Sequence, residues 1–226
     1  MPDGPVHRQF PRYQLLLPFL YRATPAAIRV GVGWTRDLSE GGACVALAER
    51  LPPGSPRWLG LQTDRGPIDT GARVAWAEEA APNGKGVLHG VTFTQISPEH
   101  RQALRDLLRA QEGREAGVRL PVVLSVTCSL RGRAGPSLSG CTGDISRGGL
   151  SLRLLQPLPV GSALEITLHT PRGPLTVAGT VVWVVPPERQ RAGQLITHGL
   201  RFAPLGWPTL LSLGLVLGAD SPHSPS

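Results

Sequence analysis

Shifted against itself by 107 residues, the sequence lines up without a gap from Arg12 on Arg119 to Trp76 on Trp183. Asp37 falls on Asp144, Ser39 on Ser146, and Gly41 and Gly42 on Gly148 and Gly149. Gly54-Ser55 likewise meets Gly161-Ser162, and Arg65-Gly66-Pro67 meets Arg172-Gly173-Pro174. After a two-residue insertion, His89-Gly90-Val91-x-Phe93 meets His198-Gly199-Leu200-x-Phe202. A register held at so many special positions marks a duplicated unit. Two copies of about 100 residues are too few and too long for a solenoid, so each must carry its own core. The expected domains are residues 1–112 and 113–219, followed by a disordered polar tail at 220–226.

Each copy reads as strands. Leu150, Leu152 and Leu154 alternate with Ser151 and Arg153, and Leu164, Ile166 and Leu168 alternate with Glu165, Thr167 and His169. That period of two is the pattern of a half-buried strand. Val177 to Val185 is a β-branched run around Trp183, and Gly173-Pro174 marks the turn before it, which predicts a hairpin. With 28 Gly and 23 Pro the chain has little room for long helices. The exception closes each copy. Ser97 caps, Pro98 suits a first helical position, Glu99 meets the positive helix end, and Leu104, Leu107 and Leu108 form an apolar stripe. Trp207-Pro208 followed by Leu210, Leu211, Leu213, Leu215 and Leu217 predicts a second, more apolar helix.

Several function classes drop out. Cys44, Cys128 and Cys141 are odd in number and lack CxxC spacing, which argues against a disulfide framework or a zinc site and for a reducing, cytoplasmic setting. The six histidines form no HExxH motif and no close pair, so they read as structural and no metal is expected. The apolar stretch from Leu210 to Ala219 contains Ser212, Gly214 and Gly218 and falls short of the roughly 20 residues of a membrane helix. Pro18 interrupts the short apolar run from Leu15 to Tyr21, so a signal peptide is not expected. Gly31-Val32-Gly33 and Gly84-Lys85-Gly86 are not phosphate loops, and no nucleophile with its base is evident, so no enzyme is expected. The net charge of +7 rests on arginine, Lys85 being the only lysine. Codon bias accounts for that. Arginine also grips guanine and phosphate in a bidentate manner, so an anionic nucleotide ligand stays open. A non-specific nucleic-acid binder is not expected, because no strand face carries an array of base-stacking aromatics.

Two motifs carry binding chemistry. Arg8 and Arg12 are four apart in a segment that Pro11 holds out of a helix, so in an extended chain both point to one side, about 13 Å apart. Such a pair grips two anionic or guanine groups, or simply solvates a terminus. Asp37-Leu38-Ser39-Glu40-Gly41-Gly42 presents a carboxylate and a hydroxyl on one strand face beside glycines that permit close approach, or else forms an Asx turn at a glycine corner. A carboxylate accepts from the N1 and N2 edge of guanine while arginine donates to O6 and N7, so the motifs are complementary halves of guanine recognition.

RxxxR, then DxSxxG about 25 residues later, a Val-x-Trp strand and His-Gly-Val-x-Phe before a helix together resemble the PilZ domain, here as a tandem pair covering nearly the whole chain. The resemblance implies a mainly β protein of two six-stranded antiparallel barrels, each with a C-terminal helix. It implies binding of the second messenger cyclic di-GMP and no cofactor. Arg8 and Arg12 would be the clasp on an N-terminal arm, with His7 before them bearing on ligand stoichiometry. Asp37, Ser39, Gly41 and Gly42 would form the platform.

The second copy keeps Arg119, Asp144, Ser146 and Gly149 but has Glu115 opposite Arg8, with Arg114 one place out of register. A carboxylate beside ligand phosphates repels them, so this copy is expected to be weak or silent unless Arg114 swings in. The expected role is a cytoplasmic receptor that relays the messenger to a downstream protein, with homodimer formation left open. The alternative is a ligand-independent interaction module.

Overall fold

The computed structural model describes residues 10–78, 86–110, 118–132, 135–186 and 194–219. The arm residues His7 and Arg8, the linker around Arg114 and Glu115, and the tail at 220–226 lie outside them.

The chain forms two compact units, each a closed six-stranded antiparallel barrel. The first contains β1 (Pro18–Arg22), β2 (Gly31–Ser39), β3 (Gly42–Leu47), β4 (Pro56–Thr63), β5 (Gly66–Ala77) and β6 (Val87–Gln95), followed by α1 (Pro98–Ala110). Around the ring the order is β1-β2-β3-β6-β5-β4, with β4 returning to pair with β1. The second contains β7 (Ser125–Leu130), β8 (Leu138–Ser146), β9 (Gly149–Leu154), β10 (Ala163–Thr170), β11 (Gly173–Val184) and β12 (Ile196–Phe202), followed by α2 (Trp207–Ala219). It closes in the same order, β10 pairing with β7. Closure leaves no strand edge to cover, which is how a domain of short strands this small avoids edge pairing with other chains.

The alternation read from the sequence sets the inside of each barrel. Leu150, Leu152, Leu154, Leu164, Ile166 and Leu168 are all buried, as are Val45, Leu47, Leu59, Leu61, Ile68 and Val74 in the first barrel. Each such side chain contributes about 1.5–3 kcal/mol by leaving water. The β4–β5 and β10–β11 hairpins turn at Gly66 and Gly173, whose φ of 110° and 111° lies where side chains are strained. The hydroxyls of Thr63 and Thr170 donate to the carbonyls of these glycines, each at 2.6 Å.

The helices follow their sequence signals. Ser97 Oγ accepts from the His100 amide at 3.1 Å, capping α1, and Leu104 and Leu108 turn inward. In α2, Leu210, Leu213, Val216 and Leu217 are buried, and the helix packs against β11.

The two motif histidines are structural, as their spacing predicts. His89 Nε2 accepts from the Leu51 amide at 2.9 Å, and His198 Nε2 accepts from the Leu158 amide at 2.9 Å. Each Nδ1 faces a carbonyl, of Val87 and Leu152 respectively, so the ring is neutral with its proton on Nδ1. Burial pulls both pKa values below the ordinary imidazole value. The glycine after each histidine makes room for an indole. Gly90 pairs with Trp76 and Gly199 with Trp183, and a Cβ at either glycine would overlap the tryptophan ring.

Candidate ligand site

The site begins with an extra residue. β2 has a register shift between Thr35 and Asp37, and β8 has one between Thr142 and Ile145. Without it, Thr35 and Asp37 would share a face, since side chains alternate with period two. The bulge breaks that parity. Thr35 pairs with Val45 and is fully buried, whereas Asp37 pairs with Cys44 on the outer face and is partly exposed. The same device turns Thr142 inward and brings Asp144 beside Ser151.

The inward threonine holds the arm. Thr35 Oγ1 donates to the Leu15 carbonyl and accepts from the Leu17 amide at 2.8 Å, while the Thr35 amide donates to the Leu17 carbonyl at 2.9 Å. Thr142 repeats this arrangement. Its hydroxyl donates to the Val122 carbonyl at 2.6 Å and accepts from the Leu124 amide at 2.8 Å. Leu15 and Leu17 are completely buried, so the arm is anchored by apolar contact as well. One step earlier, Tyr13 and Leu38 exchange two backbone hydrogen bonds of 2.9 Å, and Leu120 and Ile145 exchange bonds of 2.8 and 2.9 Å. Neither threonine stood out in the sequence, although both keep the 107-residue register.

So anchored, the arm lays its arginine on the platform. Arg12 Nη1 donates to Asp37 Oδ1 at 2.7 Å, and Arg119 Nε donates to Asp144 Oδ1. Asp37 Oδ1 also accepts from the Cys44 amide at 3.3 Å. Asp144 is held more fully, its Oδ2 accepting from Ser151 Oγ at 3.0 Å while its amide donates to the same hydroxyl at 2.9 Å. Burial, and secondarily the Asp37 charge, push the Cys44 thiol up, which removes it as a nucleophile near neutral pH.

The remaining platform residues are engaged in the turn. Ser39 is buried and donates to the Gly42 carbonyl at 2.9 Å, and Ser146 donates to the Gly149 carbonyl at 3.2 Å. The expected outward hydroxyl is therefore committed to the turn, and only its lone pairs remain for a ligand. A Cβ at Gly42 would strike the Val91 carbonyl oxygen, and one at Gly149 the Leu200 carbonyl oxygen, so these glycines let neighbouring strands approach. Gly41 has another neighbour. The Phe10 ring lies 2.9 Å from where its Cβ would stand. At the matching Gly148 that place is open, and the counterpart of Phe10 is Gly117.

Two further contacts escaped the sequence reading. Arg105 of α1 donates through Nε to Glu40 Oε2 at 2.8 Å, tying the helix to the platform turn. In the second copy Glu40 is replaced by Arg147, whose pKa burial lowers. The pairings Asp37–Cys44, Cys44–Gly90 and Gly90–Trp76 also form one row across four strands, so a half-exposed indole lies on the row of the platform carboxylate. Among the described residues no group of metal-ligating side chains occurs, and no helix is long and apolar enough to cross a membrane.

The family model for the PilZ domain matches residues 7–110 and again residues 111–207. No curated protein sequence matches the chain. Among solved structures, similarity extends to the Bacillus subtilis inhibitor of motility MotI/DgrA, at 12% identity over 90% of this chain and 94% of that one, with a TM-score of 0.37. PlzA from Borreliella burgdorferi in complex with c-di-GMP matches at 12% identity over 89% and 88%, with a TM-score of 0.36. YcgR from Escherichia coli in complex with c-di-GMP matches at 9% identity over 89% and 82%, with a TM-score of 0.36.

Proposed function

The chain belongs to the PilZ domain family in both of its halves, and on that premise we propose that it is a cytoplasmic receptor for cyclic di-GMP. The observation that carries this reading is the Arg12–Asp37 pair, a cation from the arm resting on a carboxylate from the barrel. Both groups have the chemistry to bind guanine, the carboxylate at N1 and N2 and the guanidinium at O6 and N7 or at phosphate. A guanine nucleotide satisfies both at once, so little desolvation is left uncompensated when the ion pair opens. Arg8 supplies the second cation of the clasp, four residues before Arg12. Gly41, Gly42 and Ser39 keep the turn below the ligand tight. Trp76 offers an aromatic face on the same row.

The relay to a partner protein runs in this reading through α1, because Arg105 joins that helix to the platform turn at Glu40. The receptor performs no catalysis and needs no cofactor. Free cysteines, with Cys44 and Cys128 buried, suit the reducing cytoplasm.

A second reading has one specific observation in its favour. Arg12 and Asp37 satisfy each other, Ser39 is spent on the turn and Gly42 is demanded by packing, so the motif also makes sense as turn geometry in a ligand-independent interaction module. Calorimetric titration of the purified chain with cyclic di-GMP, GTP and cyclic di-AMP separates the two. The receptor reading expects heat and thermal stabilisation with cyclic di-GMP, in preference to the others. Neither heat nor stabilisation at saturating cyclic di-GMP leaves the interaction module.

A further inference from the structure

The two barrels differ on the outer face beside the platform, and the differences compensate. In the first barrel the bulge residue of β2 is Arg36, and Ala46 stands two residues beyond Cys44 on β3. In the second barrel these positions are Gly143 and Arg153. An arginine has moved from one strand to its neighbour, and the glycine has made room for it. Arg153 is outward on β9, between inward Leu152 and Leu154 and on the same face as Ser151. Its Nη2 and Nε lie 3.0 and 3.1 Å from where a Cβ of Gly143 would stand, and Ser151 Oγ lies 2.7 Å from the same point. The guanidinium is therefore folded across the bulge toward the residues that hold Asp144. A side chain at position 143 would crowd Ser151 Oγ and press on the guanidinium.

The Arg153 side chain is exposed and makes no hydrogen bond or ion pair among the described residues. Arg119 approaches the same carboxylate from the arm. The second platform thus carries two guanidinium groups, one from the arm paired with Asp144 and one from β9 lying over the bulge glycine that precedes Asp144. That excess of positive charge and a free bidentate donor suit an anion carrying both a guanine edge and phosphate. The arm of this copy has Glu115 where the first has Arg8, so a cation delivered from the barrel offsets what the arm lacks.

We propose that Arg153 is a ligand-binding residue of a second cyclic di-GMP site, on the second barrel, where it replaces the missing arm arginine and acts with Arg119, Asp144 and Ser146. The inference rests on the receptor reading of the first barrel, and one experiment tells their failures apart. Cyclic di-GMP is titrated calorimetrically into the full chain as wild type, Asp37→Ala, Arg153→Ala and the double variant. Wild type is expected to show two classes of site, Asp37→Ala to keep one, and Arg153→Ala to weaken that remaining class by about 10- to 100-fold, the effect of losing a charged hydrogen bond. Arg153→Lys, which keeps the charge without the planar fork, is expected to fall between them. Asp37→Ala abolishing all binding would overturn the second site while leaving the receptor reading in place. Residual binding that ignores Arg153→Ala and Arg153→Lys would assign the second site to other residues. No binding by wild type would remove the receptor reading itself.

Discussion

Arg12 of the arm donates to Asp37 of the barrel at 2.7 Å, with the two side chains 36% and 26% exposed. A pair this wet contributes only about 0–1 kcal/mol to folding, since water and salt screen it. The same guanidinium turned to a ligand phosphate or guanine is worth about 1.5–3 kcal/mol. Arg12→Ala is therefore expected to weaken cyclic di-GMP binding by that amount while moving the unfolding midpoint little. Calorimetry and a thermal melt on the same sample check both halves of the statement.

Thr35 is the opposite case. It is completely buried and its one hydroxyl serves two backbone groups, the Leu15 carbonyl and the Leu17 amide. Thr35→Val keeps the shape and removes both hydrogen bonds, leaving two buried polar groups without that partner. The expected loss is about 1–3 kcal/mol for each group left unsatisfied, and Thr142→Val should cost a similar amount in the second barrel. Denaturant unfolding measures it. A loss below about 0.5 kcal/mol in both variants would mean that water reaches the arm junction.

The 107-residue repeat and the leucine alternation were legible because each is written in residues whose spacing is itself the signal. The bulges were not. One extra residue in β2 leaves no mark in an alternation already irregular at Arg36-Asp37, yet it decides that Thr35 faces in and Asp37 faces out. Glu40 and Arg105 are 65 residues apart, and only the docking of α1 brings them together. Arg153 was hidden for a further reason. It departs from the repeat at the same place as Gly143, and the exchange with Arg36 and Ala46 becomes visible only once β8 and β9 are known to be neighbours.

The neutral imidazoles of His89 and His198 make stability depend on pH with a definite sign. Burial lowers their folded pKa values, so below about 6.5 the unfolded chain takes up protons that the folded chain refuses. Stability from these groups is complete above that pH and declines as pH falls, by at most about 1.4 kcal/mol per pH unit for each histidine. Denaturant midpoints taken from pH 7.5 down to 5 are expected to drop. His198→Gln keeps an acceptor for the Leu158 amide without the titration, and is expected to flatten part of the slope.

Three glycines of the two platform turns should respond differently to the same methyl group. At Gly42 the added Cβ would strike the Val91 carbonyl oxygen, which belongs to the neighbouring strand and cannot swing aside. Gly42→Ala is therefore expected to cost about 1–3 kcal/mol or more, the range for overpacking, whether or not ligand is present. At Gly148, the counterpart of Gly41, the space a Cβ would take is open, and Gly148→Ala is expected to leave the melting curve where it was, within about 0.5 kcal/mol. Gly41 lies between these cases, because what its Cβ meets is the Phe10 ring at 2.9 Å, an exposed side chain two residues before Arg12. That ring is able to move, and moving it shifts the arm. Gly41→Ala should thus fold normally yet bind cyclic di-GMP more weakly than wild type, a separation of stability from affinity that neither other variant shows. Thermal melts and titrations of all three variants test the series, and a Gly41→Ala protein with unchanged affinity would mean that the contact between arm and turn does not position the clasp.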